Sequence, residues 1–323
     1  RWVSGRPWKP EEPVATVTES RGPSWISRDF LALSGKRHTL DQSRVVLIPI
    51  PYDSTTSFRS GARYGPSAII DASAALEDYD LELDLDASLV GIHTTEALEP
   101  HMGGPALMVE RVRQAVGHYV QKGKIVGVLG GEHSVAVGSV QAHLEAYPDL
   151  SVLYLDAHAD LRDEYMGTPW GHASGSRRIH ERCPLVLAGL RSLCSEERDY
   201  IRSHGVPAYY WPPPGDGASY LGEIASLLGP NVYVSVDLDV FDPSLMPAVG
   251  APEPGGMSWR QVTSLLQEIA MARRIVGFDV CELSPGEGPA ACSYTAAKLV
   301  YKLVAYAAAL SPSTQTSGDR GQH

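Results

Sequence analysis

Asp156, His158 and Asp160 stand at alternate positions in the run Leu155-Asp156-Ala157-His158-Ala159-Asp160, each separated from the next by an alanine. The run follows the apolar stretch Leu150-Ser151-Val152-Leu153-Tyr154, which reads as a buried strand. Where strand geometry continues, a side-chain period of two puts both carboxylates and the imidazole on one side. Such a set repels itself unless a cation sits among its members. Oxygen and imidazole donors together suit a divalent metal such as Mn²⁺. The alternative for this run alone is a strand end with solvated charges.

Two other apolar runs end in the same way. Asn231-Val232-Tyr233-Val234-Ser235-Val236 leads into Asp237-Leu238-Asp239, which again places two carboxylates on one side with Leu238 on the other. Ile125-Val126-Gly127-Val128-Leu129 leads into Gly130-Gly131-Glu132-His133-Ser134. The paired glycines permit a sharp turn that brings His133 to the mouth of its strand. In an open parallel α/β sheet, sites form beyond the carboxyl ends of the strands. His133, Asp156, His158, Asp160, Asp237 and Asp239 are then expected to converge there. Six ligands exceed what one small ion needs while leaving room for substrate. They suit two ions bridged by a carboxylate and a water.

The elements that must position these residues alternate along the chain. Val45–Ile50 reads as the first strand, and a loop from Pro51 to Pro66 leads to a helix with Pro66 at its first position, continuing to about Tyr79. Gly61-Ala62-Arg63-Tyr64-Gly65 reads as a turn, because the Lys-Ser/Thr of a phosphate loop is missing. A helix over Leu107–Tyr119 precedes the strand at Ile125, and Ser134 is the expected N-cap of a helix running to about Ala146. Leu185–Leu190 reads as a strand, Glu196–Ser203 and Ala218–Leu228 as helices, and Trp211-Pro212-Pro213-Pro214-Gly215 as a loop. A helix from Ser258 to about Ala272, capped by Ser258, a last strand over Ile275–Leu283 and a closing helix over Ala291–Leu310 complete the pattern. The expected fold is a three-layer α/β/α arrangement around a central, mostly parallel sheet. Residues 1–42, with Trp2, Trp8 and Trp25, read as an irregular arm; residues 43–310 as a single catalytic domain; and 311–323 as a polar, disordered tail.

A chain of 323 residues with this pattern can bury a large core. The net charge of -11 disfavours nucleic acid as a partner and is compatible with a cationic substrate. Cys183, Cys194, Cys281 and Cys292 show no CxxC spacing, so neither a disulfide framework nor a zinc knuckle is expected. Alternation along the last strand should turn Cys281 away from the site. No apolar run approaches a membrane span, and no signal-peptide pattern stands at the start, so a cytoplasmic location is the expectation.

The sequence resembles the ureohydrolase family of arginase and agmatinase. The matching segments are Gly130–Ser134, Asp156–Asp160, Ser235–Pro243, Gly250–Gly256 and Phe278–Pro285, within a resemblance that spans about Val45 to Leu310. Glu132 departs from the pattern, since the family commonly has Asp there; it precedes a ligand and is not one. The resemblance implies two Mn²⁺ ions per subunit held by the six residues above, and a bridging hydroxide that attacks a guanidinium carbon. Glu282 matches the family's guanidinium-binding Glu, where a carboxylate can accept paired N–H donors. His172, in Gly167-Thr168-Pro169-Trp170-Gly171-His172-Ala173-Ser174, resembles the family's proton-shuttling His, a role that suits an imidazole. Asp160 has an implied second task in holding the hydroxide, and Asp242 resembles a supporting Asp that stabilises the turn at Pro243 or orients ligands. Trimers or hexamers of the chain are likewise implied.

Within the family, the stretch Leu161–Trp170 lacks the Asn- and Ser/Thr-rich pattern of arginases and looks like the agmatinase branch. Asp163 or Glu164 could meet the distal ammonium of agmatine; both acids could equally be solvated or paired with Arg162. The expected reaction is hydrolysis of agmatine to putrescine and urea. Val46–Asp53, Leu81–Leu83 and Gly91–His93 also resemble members acting on N1-aminopropylagmatine, whose product is spermidine. Guanidinobutyrate or formiminoglutamate would need Arg59 or Arg162 for a carboxylate. From other classes, an inactive metal-binding scaffold should have lost ligands or Glu282, and a single-zinc deacetylase would not need six ligands.

Overall fold

The computed structural model describes residues 28–33, 38–213 and 218–310. The tryptophans of the N-terminal arm, part of the proline loop after Trp211, and the 311–323 tail lie outside the described residues. The strands in chain order are β1 (Val45–Ile50), β2 (Tyr79–Asp80), β3 (Leu85–Asp86), β4 (Ile92–Thr94), β5 (Ile125–Gly130), β6 (Leu150–Leu155), β7 (Leu185–Leu190), β8 (Ala208–Tyr210), β9 (Asn231–Asp237) and β10 (Arg274–Cys281). β2 and β3 form a small antiparallel hairpin, and the other eight make one sheet in the order β4-β1-β5-β10-β9-β6-β7-β8. Every pairing in that sheet is parallel.

Parallel strands joined by crossover helices must be covered on both faces, which is why their sequences are continuously apolar. β1 demonstrates the division. Val45 and Leu47 enter the core beneath α1 (Gly65–Ser73) and, later in the chain, α6 (Ala218–Leu227), α7 (Trp259–Ala272) and α8 (Ala291–Ala305). Val46, Ile48 and Ile50 pack on the opposite face, which α2 (Pro105–Val120), α3 (Val135–Ala146), α4 (Gly175–His180) and α5 (Ser195–His204) cover. The three-layer α/β/α architecture expected from the alternation is the one observed.

Several boundaries differ from the sequence reading. α1 stops at Ser73, whose hydroxyl donates to the Ile70 carbonyl and accepts from Leu31 N–H. Ser134 does not cap α3: its backbone is already helical, and its hydroxyl donates to Glu132 instead. Ser258 does cap α7, accepting from Gln261 N–H while Gln261 accepts in return from Ser258 N–H. α8 ends at Ala305 and is followed by a π-helical turn over Tyr306–Leu310. Within the described part of the arm, Phe30 is fully buried in the core, and its N–H donates to Thr94 Oγ1 at 2.9 Å.

Candidate active site and metal centre

The carboxyl ends of β5, β6, β9 and β10 lie side by side in the middle of the sheet, and the segments leaving them carry all six expected ligands. After β5 the chain turns at Gly131, where an added Cβ would lie 2.1 Å from the Tyr52 carbonyl oxygen, so only glycine allows this approach. His133 follows, fully buried, with its Nδ1 3.0 Å from Asp156 Oδ2, 3.4 Å from Asp237 Oδ2 and 3.9 Å from Asp160 Oδ2. His158 Nδ1 lies 2.7 Å from Asp239 Oδ2 and 3.6 Å from Asp156 Oδ1. Among the described residues three groups of donors lie close together; two of them, His133 with Asp156 and Asp160, and Asp156 with His158 and Asp239, overlap, and the third is His133 with Asp279 and Cys281. Asp156 belongs to both of the overlapping sets.

These residues converge by a different route from strand alternation. β6 ends at Leu155, and Asp156 to Asp160 form an irregular turn in which Asp160 adopts φ +52°. β9 likewise gives way after Asp237 to a 3₁₀ turn over Leu238–Val240, with Asp237 Oδ1 accepting from Asp239 N–H at 2.8 Å. Both turns are tied down by polar contacts. Tyr154 OH donates to Asp160 Oδ2, and Asp239 Oδ1 accepts from Ala157 N–H, each at 2.9 Å. The Arg191 guanidinium donates to the carbonyls of Asp239, Phe241 and Glu253.

Electrostatics make three of the four carboxylates unstable as bare anions, while at Asp156 burial is outweighed by hydrogen bonds from His133 and His158, which hold it below the usual range. Burial, reinforced by neighbouring carboxylates, pushes Asp160, Asp237 and Asp239 above the usual carboxylate range. Burial alone would depress His133 and His158, but the carboxylates around them reverse the sign and raise both. Buried oxygen and imidazole donors in excess of their counter-charges fit divalent cations, and both overlapping donor sets have the chemistry for them.

Glu282 stands one residue beyond the end of β10, with φ +69°, in the left-handed region that costs a non-glycine residue about 1–2 kcal/mol. Its N–H donates to the Gly131 carbonyl, and its Oε1 accepts from His133 N–H at 2.7 Å. Burial, with Asp237 and Glu132 nearby, pushes its carboxyl well up. Glu282 lines a cavity of about 310 Å³ together with His158, Asp160, Asp237, Asp239 and His172. The His172 ring lies 3.3 Å from both Thr55 Oγ1 and Ser57 Oγ, and burial lowers its pKa.

Asp163 and Glu164 are exposed and do not line this cavity. Asp163 accepts from Arg178 at 2.5 Å, with Arg177 at 3.8 Å, so a pair of arginines on α4 takes the carboxylate that the sequence reading offered to substrate or to Arg162. Arg162 stacks over Tyr165, and Arg59 pairs with Glu287 at 2.9 Å. Asp242 accepts from Ser244, Gly255 and Gly256 N–H groups and closes the turn at Pro243. Cys281 is fully buried and absent from the cavity wall, its Sγ 3.5 Å from Asp279.

Three supporting residues escaped the sequence reading, and a fourth, Glu132, was noted there and given no role. Ser235 hydrogen-bonds His133 Nε2 at 2.8 Å and donates to Asp279, which orients the ring from behind. Asp279 is a carboxylate inside an otherwise apolar strand, and that anomaly was the available signal. Arg191 carried none, since it meets the Asp239 carbonyl 48 residues away, and the bonds of Glu132 to Thr55 reach across 77 residues. Burial pushes the Glu132 carboxyl up, opposed by hydrogen bonds from Ser134 and Thr55.

The family model described as "Arginase family" matches residues 43–305. This chain belongs to the arginase family. The N(1)-aminopropylagmatine ureohydrolase of Thermus thermophilus is 42% identical over 276 residues, covering 85% of this chain and 94% of the relative. The agmatinase of Halalkalibacterium halodurans is 33% identical over 271 residues, covering 80% and 91%. Among solved structures, the agmatine ureohydrolase of Thermoplasma volcanium superposes with a TM-score of 0.79 at 30% identity, covering 88% of this arginase-family chain and 95% of that one. No helix among the described residues is long and apolar enough to cross a membrane.

Proposed function

We propose that this chain hydrolyses the guanidinium group of agmatine, releasing putrescine and urea, with two Mn²⁺ ions held by His133, Asp156, His158, Asp160, Asp237 and Asp239. The observation that carries the proposal is the cavity in which Glu282 and His172 share walls with four of those six donors. When bound, the ions supply a water acidified enough to act as a nucleophile near neutral pH. Asp160 accepts a hydrogen bond from that water and directs a lone pair at the guanidinium carbon. Glu282 accepts N–H donors of the guanidinium and fixes its plane. The oxygen adds to the trigonal carbon as a C=N π pair moves onto nitrogen, the adduct then collapses to urea by breaking the bond to the chain nitrogen, and His172 conveys a proton to the departing amine. One water enters, and urea and a diamine leave with the total charge unchanged.

N1-aminopropylagmatine, giving spermidine, is the second reading, favoured by the names of the relatives at 42% and 37% identity. The two substrates differ by one aminopropyl unit at the cavity mouth. Besides the donor set, the carboxylates lining the cavity are Glu197 and Glu282. Glu197 accepts the Leu161 and Cys194 N–H groups, and neither it nor Glu282 separates the two substrates.

Urea release by the Mn²⁺-loaded protein on agmatine, N1-aminopropylagmatine, arginine and guanidinobutyrate in parallel tests both readings. Urea from one polyamine precursor is the expected result and selects between them. Urea only from arginine or guanidinobutyrate would overturn both.

A further inference from the structure

Glu132 is fully buried one residue before a proposed ligand, and three hydrogen bonds run inward to it. Thr55 N–H donates to Oε2 at 2.6 Å, Thr55 Oγ1–H donates to Oε1 at 2.7 Å, and Ser134 Oγ–H donates to Oε1 at 2.5 Å. Thr55 N–H can only donate and holds Oε2, and both hydroxyls converge on Oε1, so the arrangement has Glu132 accept throughout and commits the single hydroxyl proton of Thr55 to it. Only lone pairs of Thr55 Oγ1 remain for its other two neighbours, which both belong to His172. The backbone N–H of His172 lies 3.0 Å away, and ring Nδ1 lies 3.3 Å away. The ring nitrogen that faces a lone pair favourably is the one that carries hydrogen. Neutral His172 is then the Nδ1–H tautomer, and its bare nitrogen is Nε2, which lies 3.3 Å from Ser57 Oγ on the cavity wall.

We propose that Glu132, acting through Thr55, selects the tautomer of His172 and so presents Nε2 to the cavity as the atom that takes up and returns a proton. Glu132 and Thr55 are positioning residues and touch no substrate. The chain Glu132–Thr55–His172 repeats a general logic of acid–base sites, a proton carrier oriented by a second group that is itself fixed by a third. It also joins two loops that are distant in sequence, because Thr55 follows β1, His172 precedes α4, and Glu132 stands between them at the end of β5. With Thr55 unable to receive, either ring nitrogen could carry the hydrogen, and only a fraction of molecules would present Nε2 bare.

The inference rests on the proton-carrying role proposed for His172, and two measurements keep the two ideas separable. The first uses ¹⁵N-histidine-labelled full-length protein loaded with Mg²⁺ as a diamagnetic ion, with the His172 ring assigned by its loss in His172→Asn. The expected spectrum has a protonated Nδ1 and an unprotonated Nε2 in the native chain and in Thr55→Ser. Thr55→Val and Glu132→Gln should show mixed or reversed tautomers. A native ring already in the Nε2–H form, or one unchanged in both of these variants, overturns the inference whatever substrate the enzyme prefers. The second measures kcat and KM of the Mn²⁺-loaded variants on agmatine and N1-aminopropylagmatine. Thr55→Val should lower kcat by about 10- to 100-fold with KM nearly unchanged, and Thr55→Ser should restore it. Native kcat in His172→Asn would remove the proton-carrying role while leaving the tautomer result to stand or fall by the spectrum.

Discussion

Glu282 owes its position to an unusual backbone conformation as much as to its residue type. Its left-handed φ turns the chain at the end of β10, and Asp160 does the same after β6. Strain of this kind, about 1–3 kcal/mol for each residue, persists only where surrounding contacts over-determine it, and it clusters at functional sites. Here the contacts are Tyr154 OH on Asp160 and the Gly131 carbonyl and His133 N–H on Glu282. The roles divide accordingly. Asp160→Asn and Asp239→Asn should lose bound metal and turnover together. Glu282→Gln should retain metal by elemental analysis and lose turnover by about 100-fold or more, since it removes an acceptor but no ligand. Native turnover in all three variants would show the site to be elsewhere.

At the scale of elements, α3 joins the site to the middle of the sheet through buried polar groups. Tyr233 OH of β9 donates to Ser139 Oγ, and His143 Nδ1 meets the Ser139 carbonyl, both at 2.8 Å. His143 Nε2 has no hydrogen-bond partner among the described residues and faces Gly277, where an added Cβ would lie 2.2 Å from it. Burial lowers the His143 pKa from 6.5 to about 4. Between those values the unfolded chain binds more protons at this residue than the native one, so stability from neutral His143 is complete above pH 6.5 and lost as pH falls towards 4. Urea unfolding at pH 7 and pH 4.5 should show a smaller acid loss in His143→Gln than in the native chain, by about 2–3 kcal/mol. An equal loss in both would mean that His143 is not held neutral.

For the whole molecule, the centre holds more negative charge than its own groups can balance, so cation binding and folding are coupled. A ligand that binds only the native state stabilises it by about 2.7 kcal/mol at one hundred times its Kd. For a chain of 323 residues each kcal/mol raises Tm by about 1.5 °C. Adding Mn²⁺ to chelator-treated protein should therefore raise Tm by about 4 °C or more. The increment should shrink in Asp156→Asn, because Asp156 belongs to both overlapping donor sets. A Tm indifferent to Mn²⁺ would contradict a divalent centre.

Six of the strands, the helices apart from α4 and the mostly parallel sheet were legible in the sequence alone, as were the residues proposed here as the donor set. Those features rest on local patterns: continuous apolar runs, glycine pairs, and carboxylates and imidazoles at fixed short spacing. Ser258 as a cap was legible for the same reason, since its partner Gln261 is three residues away. Only the tertiary structure decided how the ligands converge, because the strands end before Asp156–Asp160 and Leu238–Val240, and turns held by long-range hydrogen bonds replace the expected alternation. It also decided which charges are available to a substrate. The sequence left Asp163 open between a substrate ammonium, solvent and Arg162, and it is Arg178 that α4 brings back to it. Glu132 looked incidental and is the anchor of the Thr55 loop, a contact that β1 and β5 create by pairing in register from Val45↔Ile125 to Ile50↔Gly130. Spacing along a chain encodes which groups a strand end can offer, whereas the partner that claims each group is set by segments the fold brings together from far away.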